Sequence, residues 1–485
     1  MLVILGCTGD LCRTKIFPAI NTMLRQKLSQ CTKTEYNQAE LEMTQGTLSS
    51  SVSTIKLDQS PMTQAFPHDR RNRTEYLKAE DQEIIPKEMP QWDILKNSGV
   101  SIPRIVGYAR TVMSTEEFIR RIDPSVTYLR ETVLAIKYVY GPYEECLARL
   151  ATELPEEEDE PIYLYMATPP EVYPGIIEQV KQSKRRIVVL AEKPFGVSLA
   201  SFHLLKEQVA DINKQVLCVD HYLFKTLLLQ MPEIHRHPVY QEIIQPKYLS
   251  SIAGYFKEVA GVKGRLGYFN GAGMCRDVLQ NHLLLVVTLA LTPGSKLDVL
   301  KEIAALQPET TIKKVYSGYQ AELQAHGITA PALETYIKTK THLGGIWNLP
   351  LVLECGKKMK THFVGVIMEL SPAGVLYVCD LPIGEHDYEN TKKKTRLAPA
   401  KLKGQLEVSI TPKEYIHLSL FYKKALIKRV RIYLEGSPPR HTAYQSLFAQ
   451  ILFQTQTDQN FSTIPELEEQ WRIVDPVLEQ PPANL

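Results

Sequence analysis

Four chemically active side chains lie within positions 220–225 of this 485-residue sequence, which there reads DHYLFK. Asp220 can hold an imidazole by accepting a hydrogen bond, and an imidazole held in this way is a general base near neutral pH. His221, Tyr222 and Lys225 are donors of the kind that bind a phosphate group. A helix start capped by Asp220 is the alternative, but a cap requires none of these polar neighbours. The stretch therefore predicts a functional site.

A candidate base lies in the segment 273–291, which is helix-like and almost entirely apolar around His282. A buried imidazole needs hydrogen-bond partners, and many such histidines are simply satisfied core residues. The predicted topology brings the strand end that carries Asp220 close to this helix, so a carboxylate–imidazole pair is the functional alternative. Asp277 is expected to cap the start of the helix.

The segment GCTGDLCRTK at 6–15 follows a strand and opens a helix. Gly6 permits a tight turn there, and Gly9 lets backbone N–H groups approach a phosphate at the helix N-terminus. The next strand ends on Arg110 and carries no acid to accept from a ribose hydroxyl. A guanidinium suits a 2′-phosphate, so NADP is favoured over NAD, with a solvated arginine as the alternative.

Lys193 follows another strand, within AEKPFG at 191–196. Ligands of a doubly wound sheet bind beyond the carboxyl ends of its strands, which would place this ammonium in the cleft. A solvated lysine is the alternative.

These residues require a scaffold that delivers strand ends to one edge. Apolar strand-like runs alternate with amphipathic helices up to residue 220, a pattern typical of a parallel, doubly wound α/β sheet. Longer strand-like segments after residue 245 predict an α+β domain with a mostly antiparallel sheet. The expected division is a coenzyme domain at 1–219 and a substrate-binding and dimerisation domain at 220–485. Residues 31–100 fit neither pattern and predict a flexible insertion.

Bulk composition limits the functional classes. The net charge is +2, which does not suggest nucleic-acid or membrane binding. The eight cysteines form no C-x-x-C pair, so reduced thiols are expected and no metal site is predicted. The chain starts with a strand-like run and not a signal peptide, and the apolar stretch from His282 is shorter than the ~20 residues that span a bilayer. A soluble protein is expected.

Ten short segments, taken together, resemble the glucose-6-phosphate dehydrogenase family. In chain order they are G-x-x-G-D-L at 6–11, G-Y-A-R at 107–110, P-P-x-V-Y at 169–173, E-K-P-F-G at 192–196, D-H-Y-L-x-K at 220–225, F-K-E at 256–258, G-Y-F at 267–269, R-D-V-x-Q-N-H-L-L at 276–284, C-G-K at 355–357 and W-R-I at 471–473. The segments at 220–225 and 276–284 are the most specific. E-K-P is shared with other two-domain sugar oxidoreductases.

The resemblance implies oxidation of D-glucose 6-phosphate at C1 to 6-phospho-D-glucono-1,5-lactone, with hydride transfer to NADP⁺, in the oxidative pentose phosphate pathway. It implies that His282 is the base and Asp220 its partner. Substrate contacts are implied for Lys193, His221, Tyr222, Lys225, Glu258, Asp277 and Lys357. Coenzyme contacts are implied for Gly6, Thr8, Gly9, Asp10, Leu11, Arg110, Thr168, Tyr173 and Lys193. A cytoplasmic homodimer or homotetramer is expected.

Three positions depart from the family pattern. Phe224 stands where the family usually has glycine, His362 where it has a second basic residue, and Thr411 where it has a substrate glutamine. These changes leave two alternatives open: a catalytically impaired relative that binds a phosphosugar or nucleotide for regulation, and a related NAD(P)-dependent oxidoreductase acting on another sugar. An intact Asp220–His282 pair argues against the first, and the phosphate donors argue against the second.

Overall fold

The computed structural model describes residues 1–27, 103–153, 161–193, 195–262, 264–292, 294–382, 384, 388–389, 398–434, 441–453 and 460–482. The insertion predicted at 31–100 lies outside the described residues.

Six parallel strands form the first sheet, in the order β3-β2-β1-β4-β5-β6. Their bounds are β1 Leu2–Leu5, β2 Ile105–Ala109, β3 Ile136–Tyr140, β4 Ile162–Met166, β5 Ile187–Glu192 and β6 Val216–Val219. The inner strands are apolar up to Glu192 at the end of β5, because both faces of the sheet are covered. The strand order reverses between β1 and β4, the point at which doubly wound sheets bind nucleotides. The predicted α/β class is confirmed.

Helices connect these strands. They are α1 at residues 10–27, α2 Thr115–Ile122, α3 Arg130–Ala135, α4 Cys146–Glu153, α5 Tyr173–Gln182 and α6 Leu199–Val209. Two of them start at capping boxes, in which Ser114 pairs with Glu117 and Ser198 pairs with Ser201. These caps end the preceding loops at defined residues.

Strand β3 was not among the predicted strands. It lies at the edge of the sheet, where it pairs with β2 alone, and its last residue Tyr140 is exposed. An edge strand needs no continuous apolar run, because solvent reaches part of it. Its residues IKYVY also follow the short helix α3 without a turn signal.

The second sheet has nine strands, in the order β12-β15-β14-β13-β11-β7-β10-β9-β8. Their bounds are β7 Leu249–Lys257, β8 Thr311–Lys314, β9 Tyr336–Leu343, β10 Leu349–Gly356, β11 Phe363–Leu370, β12 Tyr388–Glu389, β13 Lys403–Thr411, β14 Tyr415–Tyr422 and β15 Ala425–Ile432. Only β7 and β10 pair in parallel among the described strands of this sheet. The predicted mostly antiparallel sheet is therefore confirmed.

The helices of this half pack on that sheet, on one another and on helices of the first half. They are α7 Thr226–Ile234, α8 Pro238–Ile243, α9 Leu266–Met274, α10 Leu284–Leu291, α11 Lys296–Glu302, α12 Tyr319–Ala325, α13 Pro372–Asp380, α14 Ala443–Leu452 and α15 Ile464–Val474. Helix α14 is different, because its buried residues Leu447 and Phe448 belong to a core shared with β1, β2 and α1.

A π-helical stretch, Cys275–Leu283, joins α9 to α10 and carries His282. Gly273 has φ 68° at the junction, a conformation that glycine adopts without strain. The expectation that Asp277 caps a helix is wrong, because it lies inside this stretch. The whole run Leu266–Leu291 is long and apolar enough to cross a membrane, but 89% of its most apolar window is buried inside the protein, as in a core helix.

Candidate active site

Asp220 and His282 form a buried hydrogen-bonded pair. Asp220 follows β6 directly, and His282 lies near the end of the π-helical stretch. The Oδ1 atom of Asp220 lies 2.6 Å from Nδ1 of His282, and the two residues are 3% and 4% exposed. The same Oδ1 accepts a hydrogen bond from the backbone N–H of Tyr222 at 2.9 Å. Asp220 thus both caps the short helix His221–Phe224 and holds the imidazole.

The charge state of this pair follows from its burial. Burial raises the pKa of Asp220, but the neighbouring His282, His221 and Lys193 outweigh it and bring the pKa to about 2. Burial lowers the pKa of His282, and Asp220 opposes this only in part. The pair is therefore a carboxylate and a neutral imidazole near neutral pH. Because a carboxylate only accepts, Nδ1 of His282 carries the proton and Nε2 is free to accept one.

Two of the three predicted phosphate donors, His221 and Tyr222, pack against this imidazole, and the third, Lys225, lies against Tyr222. The ring of Tyr222 lies 4.3 Å from that of His282, and the ring of His221 lies 4.7 Å from it. The Nζ atom of Lys225 lies 5.2 Å from the centre of the Tyr222 ring. Burial lowers the pKa of Lys225, and the nearby Glu414 partly restores it. A cluster of polar side chains with one lysine thus adjoins the base.

Two further ion pairs border the cleft. The Nζ atom of Lys193 donates to the backbone carbonyl of Asp277 at 2.6 Å and lies 3.2 Å from its carboxylate. Lys357 donates to Glu258 at 2.5 Å. Burial raises the pKa of Asp277, but Lys193, Arg265 and Lys357 together bring it to about 2. The lysines of both ion pairs therefore lie close enough to lower the pKa of the same carboxylate, Asp277.

The glycine-rich turn has the geometry that a dinucleotide requires. Gly6 has φ 72°, and a Cβ atom there would lie 2.4 Å from the carbonyl oxygen of Ala167. Gly9 donates to the Gly6 carbonyl at 3.0 Å and is exposed at the start of α1. The turn therefore keeps a backbone surface open between β1 and β4. Leu11 packs partly into the core below it.

Side chains around the turn fit NADP. The guanidinium of Arg110 is exposed and lies 5.6 Å from the centre of the Tyr143 ring. Thr168 is buried, and its Oγ1 atom has no hydrogen-bond partner among the described residues. Thr8 accepts from Arg121 through its carbonyl at 3.5 Å, and Asp10 pairs with Arg13 at 2.7 Å. An exposed guanidinium, and a hydroxyl that no described residue pairs with, suit a phosphorylated dinucleotide at this edge.

Tyr173 differs from the other predicted coenzyme residues. It is 1% exposed, and its hydroxyl donates to the backbone carbonyl of Glu192 at 2.9 Å. The structure therefore places this side chain in the core, where it joins α5 to the end of β5. It is not brought to the coenzyme surface as a side-chain ligand.

The three departures from the family pattern have different surroundings. Phe224 is fully buried and packs on Phe461 at 5.3 Å, so its bulk is directed into the core and not into the phosphate pocket. The Oγ1 atom of Thr411 is buried without a hydrogen-bond partner among the described residues. His362 is exposed.

Sequence reasoning missed two charged residues near the cleft. The guanidinium of Arg265 lies 3.7 Å from Asp277, and Glu414 accepts from the backbone N–H of Leu227 at 3.3 Å, beside Lys225. Arg265 lies two positions before the G-Y-F segment, so that segment was an available signal. Glu414 comes from a turn between β13 and β14, and no local signal connects it with Lys225.

The site also contains one possible metal cluster among the residues described. Donor atoms of Asp220, His221 and His282 lie within 4.8 Å of one another, close enough for one cation to reach all three. Two of these groups are already paired with each other through the 2.6 Å bond.

Models of one protein family cover most of the chain. The C-terminal domain of glucose-6-phosphate dehydrogenase matches residues 236–484, and its NAD binding domain matches residues 94–229. A glucose-6-phosphate 1-dehydrogenase from Schizosaccharomyces pombe is 26% identical over 430 residues, which is 77% of this chain and 81% of the relative. A relative from Arabidopsis thaliana, named as a cytoplasmic glucose-6-phosphate 1-dehydrogenase, is also 26% identical, over 77% of this chain and 78% of its own.

Solved structures share the fold. The glucose-6-phosphate 1-dehydrogenase of Mycobacterium avium has a TM-score of 0.68 at 20% identity, with coverage of 100% of this chain and 92% of the other. A glucose-6-phosphate dehydrogenase in complex with glucose 6-phosphate has a TM-score of 0.66 at 21% identity, with coverage of 100% and 93%. With the family models on both halves, these matches show that the chain belongs to the glucose-6-phosphate dehydrogenase family.

Proposed function

We propose that this protein oxidises D-glucose 6-phosphate at C1 to 6-phospho-D-glucono-1,5-lactone and passes the hydride to NADP⁺, the first step of the oxidative pentose phosphate pathway. The observation that carries the proposal is the 2.6 Å bond between Asp220 and His282. It leaves a neutral imidazole with a free Nε2 next to a pocket of phosphate donors. A protein that only bound a phosphosugar would not require this base.

His282 performs the proton transfer in this proposal. Its Nε2 accepts the proton of the C1 hydroxyl while the C1–H bond breaks, and the electrons of the O–H bond form the C1=O bond of the lactone. Asp220 holds the ring orientation and stabilises the imidazolium that forms. NADP⁺, when bound, supplies the hydride acceptor.

The surrounding residues hold the substrate. His221, Tyr222 and Lys225 bind the phosphate, and their donors suit a dianion. Sugar hydroxyls accept hydrogen bonds from Lys193 and Lys357 and donate to Glu258 and Asp277, which are paired with these lysines. The Lys193–Asp277 and Lys357–Glu258 pairs each join a positive and a negative charge. The cleft is therefore polar there without a large net charge.

Coenzyme binding uses the edge between β1 and β4. Gly6, Thr8, Gly9, Asp10 and Leu11 form the turn that cradles the pyrophosphate, and Arg110 binds the 2′-phosphate. The exposed guanidinium of Arg110 and the unpartnered hydroxyl of Thr168 support this assignment. Lys193 lies between the coenzyme and substrate sides, because it follows β5 and bonds to the π-helical stretch.

The deciding experiment measures NADPH formation by the purified protein with glucose 6-phosphate, with NADP⁺ and NAD⁺ compared. We expect turnover with NADP⁺, and none in a His282→Asn preparation made in parallel, which controls for host enzyme. Folded protein without turnover would contradict the proposal and favour the alternative of a catalytically impaired regulatory relative. Calorimetric binding of glucose 6-phosphate would then support that alternative. Faster oxidation of an unphosphorylated sugar would favour the other alternative.

Family membership also supports the finer assignments. We propose a cytoplasmic homodimer or homotetramer, with a coenzyme domain at 1–219 and a substrate-binding and dimerisation domain at 220–485. Light scattering on purified protein tests the assembly, and a monomer at micromolar concentration would contradict it.

A further inference from the structure

A tyrosine from the C-terminal helix α14 lies against one of the candidate phosphate ligands. The ring of Tyr444 is stacked on the imidazole of His221, with centroids 5.2 Å apart and planes inclined by 14°. Its hydroxyl lies 3.3 Å from Oε1 of Glu192, to which it donates. Tyr165 donates to the same oxygen. One tyrosine thus contacts both His221 and the last residue of β5.

We propose that Tyr444 is a positioning residue for the substrate phosphate, which acts by fixing the imidazole plane of His221. This inference rests on the proposed function, because it concerns how the same pocket recognises a phosphorylated sugar. It makes α14 part of the phosphate site, although more than two hundred residues separate it from the DHYLFK segment.

His221 needs such support because its ring lacks one of the two hydrogen bonds that could fix it. Its Nδ1 atom is buried and has no hydrogen-bond partner among the described residues. The ring is instead held by aromatic packing: Tyr444 covers one face, His282 meets it at 78°, and Tyr222 meets it at 59°. An imidazole free to rotate would lose entropy on binding a phosphate, so a fixed one binds it more tightly.

The stacked geometry also suits a change of charge. Burial and the neighbouring His282, Lys193 and Lys225 hold the pKa of His221 well below its ordinary value, so this imidazole is neutral in the free protein. A phosphate dianion beside it would oppose that shift and favour the imidazolium, and the face of an aromatic ring stabilises a cation. Tyr444 therefore interacts more favourably with His221 in the substrate complex than in the free protein. This gives it an effect on substrate affinity beyond simple packing.

Tyr444 is itself held firmly. It lies in the first turn of α14, which starts with a capping box between Thr442 and Gln445. One turn later, Phe448 is fully buried and packs on Tyr165 at 5.3 Å. Cap, core contact and the bond to Glu192 together leave the Tyr444 ring one orientation. The ends of β5 and β6 are thereby joined through a single side chain.

The test compares Tyr444→Leu, which removes the stack, with Tyr444→Phe, which keeps the ring and removes only the hydroxyl. For Tyr444→Leu we expect KM for glucose 6-phosphate and the inhibition constant of inorganic phosphate each to rise about tenfold, with kcat/KM for unphosphorylated glucose within about twofold of wild type. Tyr444→Phe is expected to stay within about threefold of wild type on all three. Tyr377→Leu is the matched control, because Tyr377 on α13 also packs against another ring, that of Tyr248.

A double-mutant cycle with His221→Asn tests whether Tyr444 affects phosphate binding through His221. If Tyr444 acts through His221, Tyr444→Leu adds less than about a twofold further loss of phosphate affinity in that background. Additive losses would overturn the proposal, as would equal losses with glucose and glucose 6-phosphate. If Tyr444→Leu does not fold, Tyr444→Met replaces it.

Failure of the proposed function gives a different result. In that case wild-type protein does not oxidise glucose 6-phosphate, and calorimetric binding of inorganic phosphate to the same variants still decides the role of Tyr444. Phosphate affinity that is equal in wild type and Tyr444→Leu would then contradict the inference.

Discussion

Asp220 Oδ1 lies 2.6 Å from Nδ1 of His282, and this bond joins the end of the last parallel strand to the π-helical stretch. One hydrogen bond thus connects two chain segments that differ in both sequence position and secondary structure. The carboxylate also fixes the backbone of Tyr222, so the base and the first phosphate donors share one anchor. Substitution of His282 should therefore affect catalysis, and substitution of the phosphate donors should affect phosphate binding. Substitution of Asp220 should affect both.

His282→Asn is expected to lower kcat by about 10²–10⁴-fold and to change KM for glucose 6-phosphate by less than about threefold. The amide keeps part of the side-chain volume but cannot accept the C1 hydroxyl proton. Steady-state kinetics check this, with His342→Asn as a control on an exposed histidine of β9. A variant with near-normal kcat would remove His282 from the role of base.

Asp220→Asn is expected to lower kcat and to shift its pH dependence in a defined direction. Burial lowers the pKa of His282 below its ordinary value of 6.5, and the negative charge of Asp220 opposes that shift. The neutral base therefore persists below pH 6.5 in the wild type, and loss of the charge lowers its pKa further. The acid limb of the kcat/KM profile should thus move to lower pH in the variant. A limb that moves to higher pH would contradict the assigned electrostatics.

The sequence predicted the parts of the fold that have a strong local signal. The sequence predicted strands that end before Gly6, at Arg110, before Lys193 and before Asp220, and these correspond to the apolar strands β1, β2, β5 and β6. The edge strand β3 lacks such an apolar run. Four strands of the second sheet, β8, β9, β12 and β15, were not predicted either, because they are specified by pairing within the sheet. Propensity is weak for these elements because tertiary pairing decides them.

The candidate site divides in the same way. Asp220, His221, Tyr222 and Lys225 share one short segment, and their chemistry is visible there. The mutual pairing of Lys193 with Asp277 could not be read from either segment, because it depends on the path of the π-helical stretch. Phe224 was singled out as a departure from the family's glycine beside the phosphate donors, and the turn after β6 directs its ring to Phe461. Tyr444 gave no signal at all, because only the packing of α14 on the parallel sheet brings it to His221.

Gly6→Ala is expected to impair the coenzyme turn. An alanine Cβ would meet the carbonyl oxygen of Ala167 at 2.4 Å, and φ 72° is strained for any residue with a Cβ. We expect a lower Tm and a dissociation constant for NADP⁺ raised at least about tenfold, measured by calorimetry without sugar substrate. Gly175→Ala is the control, because nothing lies within 4 Å of its Cβ position and it occupies helix α5. Equal effects of the two changes would contradict the steric explanation.

Glu192→Gln is expected to change how stability depends on pH. Burial raises the pKa of Glu192 from 4.5 to about 7 in the folded protein, against the opposing effect of hydrogen bonds from Tyr165 and Tyr444. Because the folded pKa lies above the unfolded one, the stability that the neutral acid contributes is complete below pH 4.5 and is lost as the pH rises through 7. The glutamine cannot ionise, and its Oε1 can still accept from both hydroxyls.

The free energy of unfolding of Glu192→Gln should therefore exceed that of wild type by about 1–3 kcal/mol at pH 8 and approach it near pH 4.5. Chemical denaturation at a series of pH values measures this difference. Glu145→Gln, on an exposed ion pair with Arg149, is the control and should show only a small, nearly pH-independent change between pH 6 and 8. A difference in free energy of unfolding between Glu192→Gln and wild type that is the same from pH 4.5 to pH 8 would mean that burial does not penalise the Glu192 carboxylate. The ionisation assigned to the end of β5 would then be wrong.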